Sequence, residues 1–226
     1  MRGVFVTGTD TNVGKTVAGC ALLAALNACG LRTAAMKPVA SGCETTPQGL
    51  RNEDALALMA EAAVRHDYEK VNPVALAPAI APHLAAAEAG VTIDLARLVA
   101  GARALAAEGD MLLVEGAGGW RVPLTADTGF ADLAVALGYP VVLVVAVRLG
   151  CINHALLTAE AIRRDGLPLA GWIANVMVPD EPRLQGQIAS LEARLACPRL
   201  ATLPWEPGAA PRERMRHLDC GPLLPR

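Results

Sequence analysis

Lysine is nearly missing from this sequence. Of its 20 basic residues only three are lysine, Lys15, Lys37 and Lys70. Aromatic residues are also scarce, at 3% of the 226 positions, which leaves few rings for stacking bases. The formal net charge of −2 gives no bulk attraction to nucleic acid or to an anionic lipid surface, so neither is an expected partner. Uninterrupted apolar runs are missing too. Residues 71–87 carry no charged group but are broken by Pro73, Pro78, Pro82 and His83, and residues 133–147 are interrupted by Gly138 and Pro140. Neither matches the roughly 20 apolar residues of a spanning helix. The first residues run into polar Thr7 to Thr11 with no signal-peptide core, so a soluble, cytoplasmic protein is expected. No Cys-x-x-Cys pair occurs among the six cysteines, and the four histidines form no ligand pattern with them, which argues against a disulfide scaffold or a zinc site.

What is present is a large apolar fraction, 53%, arranged as short strands alternating with helical stretches. The pattern predicts strands over residues 4–7, 33–37, 111–114, 141–147, 171–174 and 200–203. Helices are predicted over 16–29 (with Gly30 at its C-terminal end), 53–65, 93–107, 153–164 and 182–195. Continuous apolar strands, rather than alternating ones, mark a parallel sheet covered on both faces. The expected fold is therefore a single α/β domain over residues 1–226, doubly wound, with a mainly parallel sheet. The proline-rich tail from Pro204 onward is expected to wrap the surface, and His66, His83 and His217 to be packing or surface residues. Ligands of such sheets bind at the carboxyl ends of the strands.

The sharpest motif is Gly8-Thr9-Asp10-Thr11-Asn12-Val13-Gly14-Lys15-Thr16, between the first strand and the first helix. A glycine-bounded loop there aims backbone N–H groups at a polyphosphate, and the helix N-terminus adds positive potential. Lys15 can reach the β- and γ-phosphates, and the Thr16 hydroxyl can ligate Mg²⁺. The spacing is one residue longer than the usual G-x-x-x-x-G-K-[ST] loop. In a chain that otherwise uses arginine, Lys37 at the end of the second strand reads as a point charge for a second phosphate or a carbamate. Glu115 ends a buried strand and opens Gly116-Ala117-Gly118-Gly119, a loop able to approach a ligand closely. Asp54 lies at the start of a helix, where it serves either as a metal ligand or as a charge at the helix N-terminus.

Together these residues resemble the dethiobiotin synthetases, biotin-pathway members of the P-loop NTPase group. The matching segments continue through Lys37-Pro38-Val39-Ala40-Ser41-Gly42, Asn52 with Asp54-Ala55-Leu56, Glu115 to Trp120, Leu149-Gly150-Cys151-Ile152-Asn153-His154, Ala170-Gly171-Trp172 with Ala174-Asn175, and Leu203-Pro204-Trp205. The lengthened phosphate loop is the form that this family uses. The resemblance implies an ATP-dependent carboxylation of 7,8-diaminononanoate by CO2 or bicarbonate, with closure of the ureido ring through a carbamate and a carbamic-phosphoric anhydride. It implies that Thr16, Asp54 and Glu115 hold Mg²⁺, and that Lys15, Lys37 and Thr11 serve the transferring phosphate and carbamate. Ser41 would bind the diamine. ATP would contact Asn12, Val13, Gly14, Lys15, Thr16, Val17, Asp54, Glu115, Gly116, Ala117 and Gly118, with Asn175, Pro204, Trp205 and Glu206 beside the adenine. The substrate carboxylate would sit on Gly150, Cys151 and Asn153 from the second subunit of a homodimer. Where relatives can carry an aromatic over the substrate chain, this sequence reads Arg183-Leu184-Gln185-Gly186-Gln187. Partition-type ATPases, a competing reading, begin the loop Lys-Gly-Gly, whereas Asp10-Thr11-Asn12 stands here. Glutamine-dependent amide synthetases need an added glutaminase region with a nucleophilic cysteine, for which 226 residues leave little room.

Overall fold

The computed structural model describes residues 3–224; residues 1, 2, 225 and 226 of the expected 1–226 span lie outside the described residues. The chain opens with β1 (Gly3–Gly8), α1 (Lys15–Ala28) and β2 (Thr33–Met36). Three short strands follow, β3 (Val39–Ser41), β4 (Glu44–Thr46) and β5 (Gly49–Arg51). Then come α2 (Glu53–Glu61), α3 (Tyr68–Val71), β6 (Val74–Leu76), α4 (Pro82–Ala89) and α5 (Leu95–Glu108). The second half is β7 (Met111–Gly119), α6 (Phe130–Leu137), β8 (Val141–Val147), α7 (Cys151–Arg164), β9 (Leu169–Val176), α8 (Leu184–Leu195), β10 (Arg199–Leu203) and α9 (Pro211–Arg214).

Six strands form one sheet in the order β10-β9-β8-β1-β7-β2, and every pairing in it is parallel. This is the doubly wound architecture expected from the apolar runs. All seven residues of β8 are buried, as a strand covered on both faces requires. Successive side chains face opposite layers. Leu143, Val145 and Val147 pack with Trp172 and Leu191 toward α7 and α8, while Val142, Val144 and Ala146 pack with Leu22 and Leu26 of α1. Phe5 of β1 faces the layer of α5 and α6, its ring edge-on to Trp120 at 6.0 Å between centroids. Among the described residues, no helix is long and apolar enough to cross a membrane.

Several expected boundaries shift. The strand expected to reach Lys37 ends at Met36, because the Lys37 N–H turns away to donate to the Val71 carbonyl (2.8 Å). The helix expected over 53–65 stops at Glu61. There Ala63 and Val64 donate instead to the Thr33 hydroxyl and carbonyl, tying the chain to the start of β2. Residues 115–119 extend β7 beyond its apolar run, and α7 begins at Cys151 rather than Asn153. The short elements β3 to β6, α3, α4 and α6 lack a periodic signal long enough to read from sequence.

The tail from Pro204 onward wraps the surface as expected, most of its described residues being exposed or half-buried, and a few apolar side chains anchor it. Cys220 and Leu223 are buried, and Met215 and Leu218 pack on the same cluster as Leu22, Leu23 and Leu26 of α1. Ten of the 14 residues of α1 are buried, so the helix is apolar nearly all round and needs cover on its outer side as well as from the sheet.

Candidate active site

Parallel pairing decides which chain segments meet. In β1 and β7, Val6 lies opposite Glu115 and Gly8 opposite Gly119, with the register slipping between them. The loop after β1 and the glycine loop after Glu115 therefore leave the same sheet edge side by side. A Cβ added at Gly118 would stand 3.4 Å from Thr11 Oγ1, and one at Gly119 would stand 3.7 Å from the Gly8 carbonyl. On the other side of β7, Met36 of β2 lies opposite Val114, so the next residues, Lys37 and Glu115, emerge as neighbours. Asp54 arrives on the first turn of α2, capped by the Asn52 side chain accepting from the Ala55 N–H at 3.2 Å.

The result is a buried cluster of charge. Lys37 Nζ lies 2.6 Å from Glu115 Oε1 and 2.9 Å from Asp54 Oδ2, and it also reaches the Gly116 carbonyl at 3.4 Å. Thr16 Oγ1 donates to the same Glu115 oxygen at 2.9 Å. Lys37 is 3% exposed and Glu115 fully enclosed, whereas the Asp54 side chain keeps 36% of its surface in solvent. Burial pulls the Lys37 ammonium toward its neutral form. The Glu115 and Asp54 charges and hydrogen bonds outweigh this, and its pKa is raised above the ordinary value. Asp54 shows the converse balance: burial favours its neutral form, but Lys37 draws its pKa below the ordinary range. Lys15, buried at the start of α1, has no such ion-pair partner among the described residues. Desolvation, and then repulsion from Lys37, bring its pKa down to about 8, and its Nζ donates to the Asp10 carbonyl at 3.0 Å.

The phosphate loop holds its shape through two left-handed residues, Asn12 (φ 57°) and Gly14 (φ 84°). Gly14 is required twice over. Its φ suits glycine, and a Cβ there would stand 2.1 Å from Asn175 Nδ2, which donates to the Val13 carbonyl at 3.0 Å. Asn175, at the end of β9, thus braces the loop from across the sheet edge.

A cavity of about 900 Å³ runs along this edge. Of the expected site residues, Thr11, Asn12, Gly14, Lys15, Thr16, Val17, Lys37, Ser41, Asp54, Ala117, Gly118, Asn175, Pro204, Trp205 and Glu206 line it. Val13, Glu115 and Gly116 are buried behind its wall. Gly150, Cys151 and Asn153 open α7 at the end of β8 and do not line the cavity. Cys151 is buried, with its thiol donating to Gln187 Oε1 (3.1 Å), and Gln187 Nε2 donates on to Glu181 (2.9 Å).

Sequence reasoning missed a buried relay beneath the cluster. The Asn52 N–H donates to Tyr68 Oη (2.7 Å), which donates to Asn72 Oδ1 (2.8 Å), and Asn72 Nδ2 donates to the Lys37 carbonyl (2.6 Å). The relay pins the end of β2 to the start of α2, and with them Lys37 to Asp54. The one faint sign of it was a Tyr and an Asn four residues apart in a short segment.

The residues present suit Mg²⁺. Two carboxylates and a hydroxyl offer hard oxygen donors. Glu115 Oε2 is buried with no hydrogen-bond partner among the described residues, a spare acceptor at the centre of the cluster. Gly19 of α1 leaves room for it, since a Cβ there would stand 3.2 Å away.

Comparison with known proteins agrees with this geometry. The family model described as an AAA domain matches residues 2–213. The ATP-dependent dethiobiotin synthetase BioD of Pseudomonas paraeruginosa is 58% identical over 224 residues, covering 99% of this chain and 98% of the relative. The chain belongs to the ATP-dependent dethiobiotin synthetases. The synthetase of the same name from Cellvibrio japonicus is 53% identical over 223 residues, 99% of this chain and 98% of its own. Among solved structures, the septum site-determining protein MinD of Pyrococcus horikoshii OT3, complexed with Mg-ADP, has a TM-score of 0.57. At 18% identity, over 91% of this chain and 82% of its own, it shares the P-loop NTPase fold alone with the synthetase. The lysine that starts the partition-type loop is absent here, where Asp10 stands.

Proposed function

We propose that this ATP-dependent ligase forms dethiobiotin from 7,8-diaminononanoate, CO2 and ATP, in three steps along one sheet edge. One amine of the substrate takes up CO2 as a carbamate. A carbamate oxygen attacks the γ-phosphorus of ATP, the bond to the ADP oxygen breaks, and a carbamic-phosphoric anhydride forms. The second amine then attacks the carbonyl carbon and expels phosphate, closing the ureido ring. The observation that carries this reading is the gathering of Lys15, Lys37, Asp54 and both glycine loops on one cavity, with the Glu115 carboxylate buried behind it.

Phosphoryl transfer asks the protein for positioned charge more than for covalent chemistry. Lys15 supplies a cation to the β- and γ-phosphates. Lys37, released from Glu115 and Asp54, neutralises the carbamate and the phosphoryl oxygens as charge moves between them. Thr11 and Ser41 orient the diamine and the carbamate by hydrogen bonds. Thr16, Asp54 and Glu115 hold Mg²⁺, which when bound supplies charge neutralisation of the triphosphate. Gly150, Cys151 and Asn153 receive the substrate carboxylate at the N-terminus of α7, across the interface of a homodimer. The test is phosphate release from ATP with and without diaminononanoate plus bicarbonate. Release that depends on both substrates supports the reading, whereas release stimulated by DNA or lipid instead points to a partition-type ATPase.

A further inference from the structure

The tail that packs on α1 also reaches back into the cavity. Arg214, in α9, lines the cavity, and its bonds to Pro204 and Glu206 set it beside Trp205. Its guanidinium donates to three backbone carbonyls of a single loop: Pro204 through Nη1 (3.4 Å), Glu206 through Nη2, and Ala209 through Nε (3.4 Å). Two residues on, Arg216 Nη2 holds Glu206 Oε1 at 2.6 Å, and the other carboxylate oxygen of Glu206 is buried without a partner among the described residues. The loop has no strand partner of its own, for β10 ends at Leu203. The support from which Arg214 reaches is firm, since Met215, Leu218, Cys220 and Leu223 pack on the α1 cluster just downstream.

We infer that Arg214 is a positioning residue for the nucleoside half of ATP: it holds the Pro204–Ala209 backbone in the shape that receives the base and ribose, and takes no part in phosphoryl transfer. This rests on the proposed placement of adenine beside Asn175, Pro204, Trp205 and Glu206. The planar fork explains why the residue is arginine. Five N–H donors spread over a rigid planar fork can reach three carbonyls spaced along the loop, whereas the three donors of a lysine radiate from one nitrogen. Loss of these bonds frees the loop, so the nucleotide must order it on binding, and affinity falls without a change in the chemical step.

The experiment compares binding of ATP with binding of inorganic tripolyphosphate, which has the phosphates but no nucleoside, by calorimetry on the full chain, and separates KM from kcat. Arg214→Ala should weaken ATP binding and raise the KM for ATP by about tenfold, the scale of one charge-assisted hydrogen bond, since the loss reaches the nucleotide only through the ordering of the loop. Tripolyphosphate binding, and kcat at saturating ATP, should stay near the wild-type values. Arg214→Lys, which keeps the charge but not the fork, should fall between the two, and it carries the same test if the alanine variant does not fold. Unchanged ATP affinity in both variants overturns the inference. Equal weakening of ATP and tripolyphosphate overturns it too, because the damage then lies in the phosphate loop. A wild-type protein that binds ATP no tighter than tripolyphosphate refutes instead the nucleotide placement on which the inference rests.

Discussion

Replacing Lys37 by Met keeps the length of the side chain and removes the charge, which should unmask the cost of the carboxylates beneath it. Glu115 is wholly enclosed and loses its 2.6 Å partner, whereas Asp54 is more than a third exposed and water takes over its part. Removing one member of a buried pair costs about 3–5 kcal/mol, and an exposed pair contributes about 0–1 kcal/mol, so the loss is set by Glu115. Urea unfolding at pH 7 should thus show Lys37→Met destabilised by about 3–5 kcal/mol. In the wild type the pH dependence of the pairing is carried by Lys37 and Asp54. The raised pKa of Lys37 gives stability that is complete below its ordinary 10.5 and is lost as pH climbs past that value. The lowered pKa of Asp54 gives stability present above its ordinary 3.8 and lost in more acid solution. Its pairing is therefore flat between those limits. Adding Glu115→Gln to Lys37→Met should recover most of the loss, since neither buried charge then remains. A loss below about 1 kcal/mol at pH 7 would refute the pairing argument.

Other outcomes follow from the same cluster. Lys37→Arg should keep the fold but lose most turnover, because a planar fork cannot replace a compact ammonium; a kcat near wild type removes Lys37 from its proposed role. Lys15, with its pKa down to about 8, should make ATP affinity fall as pH rises above 8, with a proton taken up on binding there; calorimetry in two buffers of different ionisation enthalpy reads that proton. For folding the sign is opposite: between about 8 and the ordinary 10.5 the unfolded chain binds more protons, so Lys15 makes stability rise with pH across that window, and Lys15→Met should abolish both effects. Gly14→Ala forces a side chain into the left-handed region, at about 1–2 kcal/mol, and pushes Asn175 off the Val13 carbonyl. Its melting temperature and ATP affinity should both drop, and an unchanged affinity would deny Asn175 its bracing role.

What the sequence determined by itself was local. A glycine-bounded loop between a strand and a helix, a lysine and threonine at that helix start, and a carboxylate ending an apolar strand are readable because each depends on a few neighbours along the chain. The continuous apolar run over residues 141–147 likewise marked a parallel sheet. Non-local geometry decided the rest. That Lys37 falls between Glu115 and Asp54 follows from the register of β2 on β7 and the start of α2, which no spacing encodes. The relay through Tyr68 and Asn72 joins segments that share no motif. That the tail wraps the surface was legible in its prolines and charges, which break every period, but α1 is apolar nearly all round, and only the packed structure shows that this segment covers its outer side.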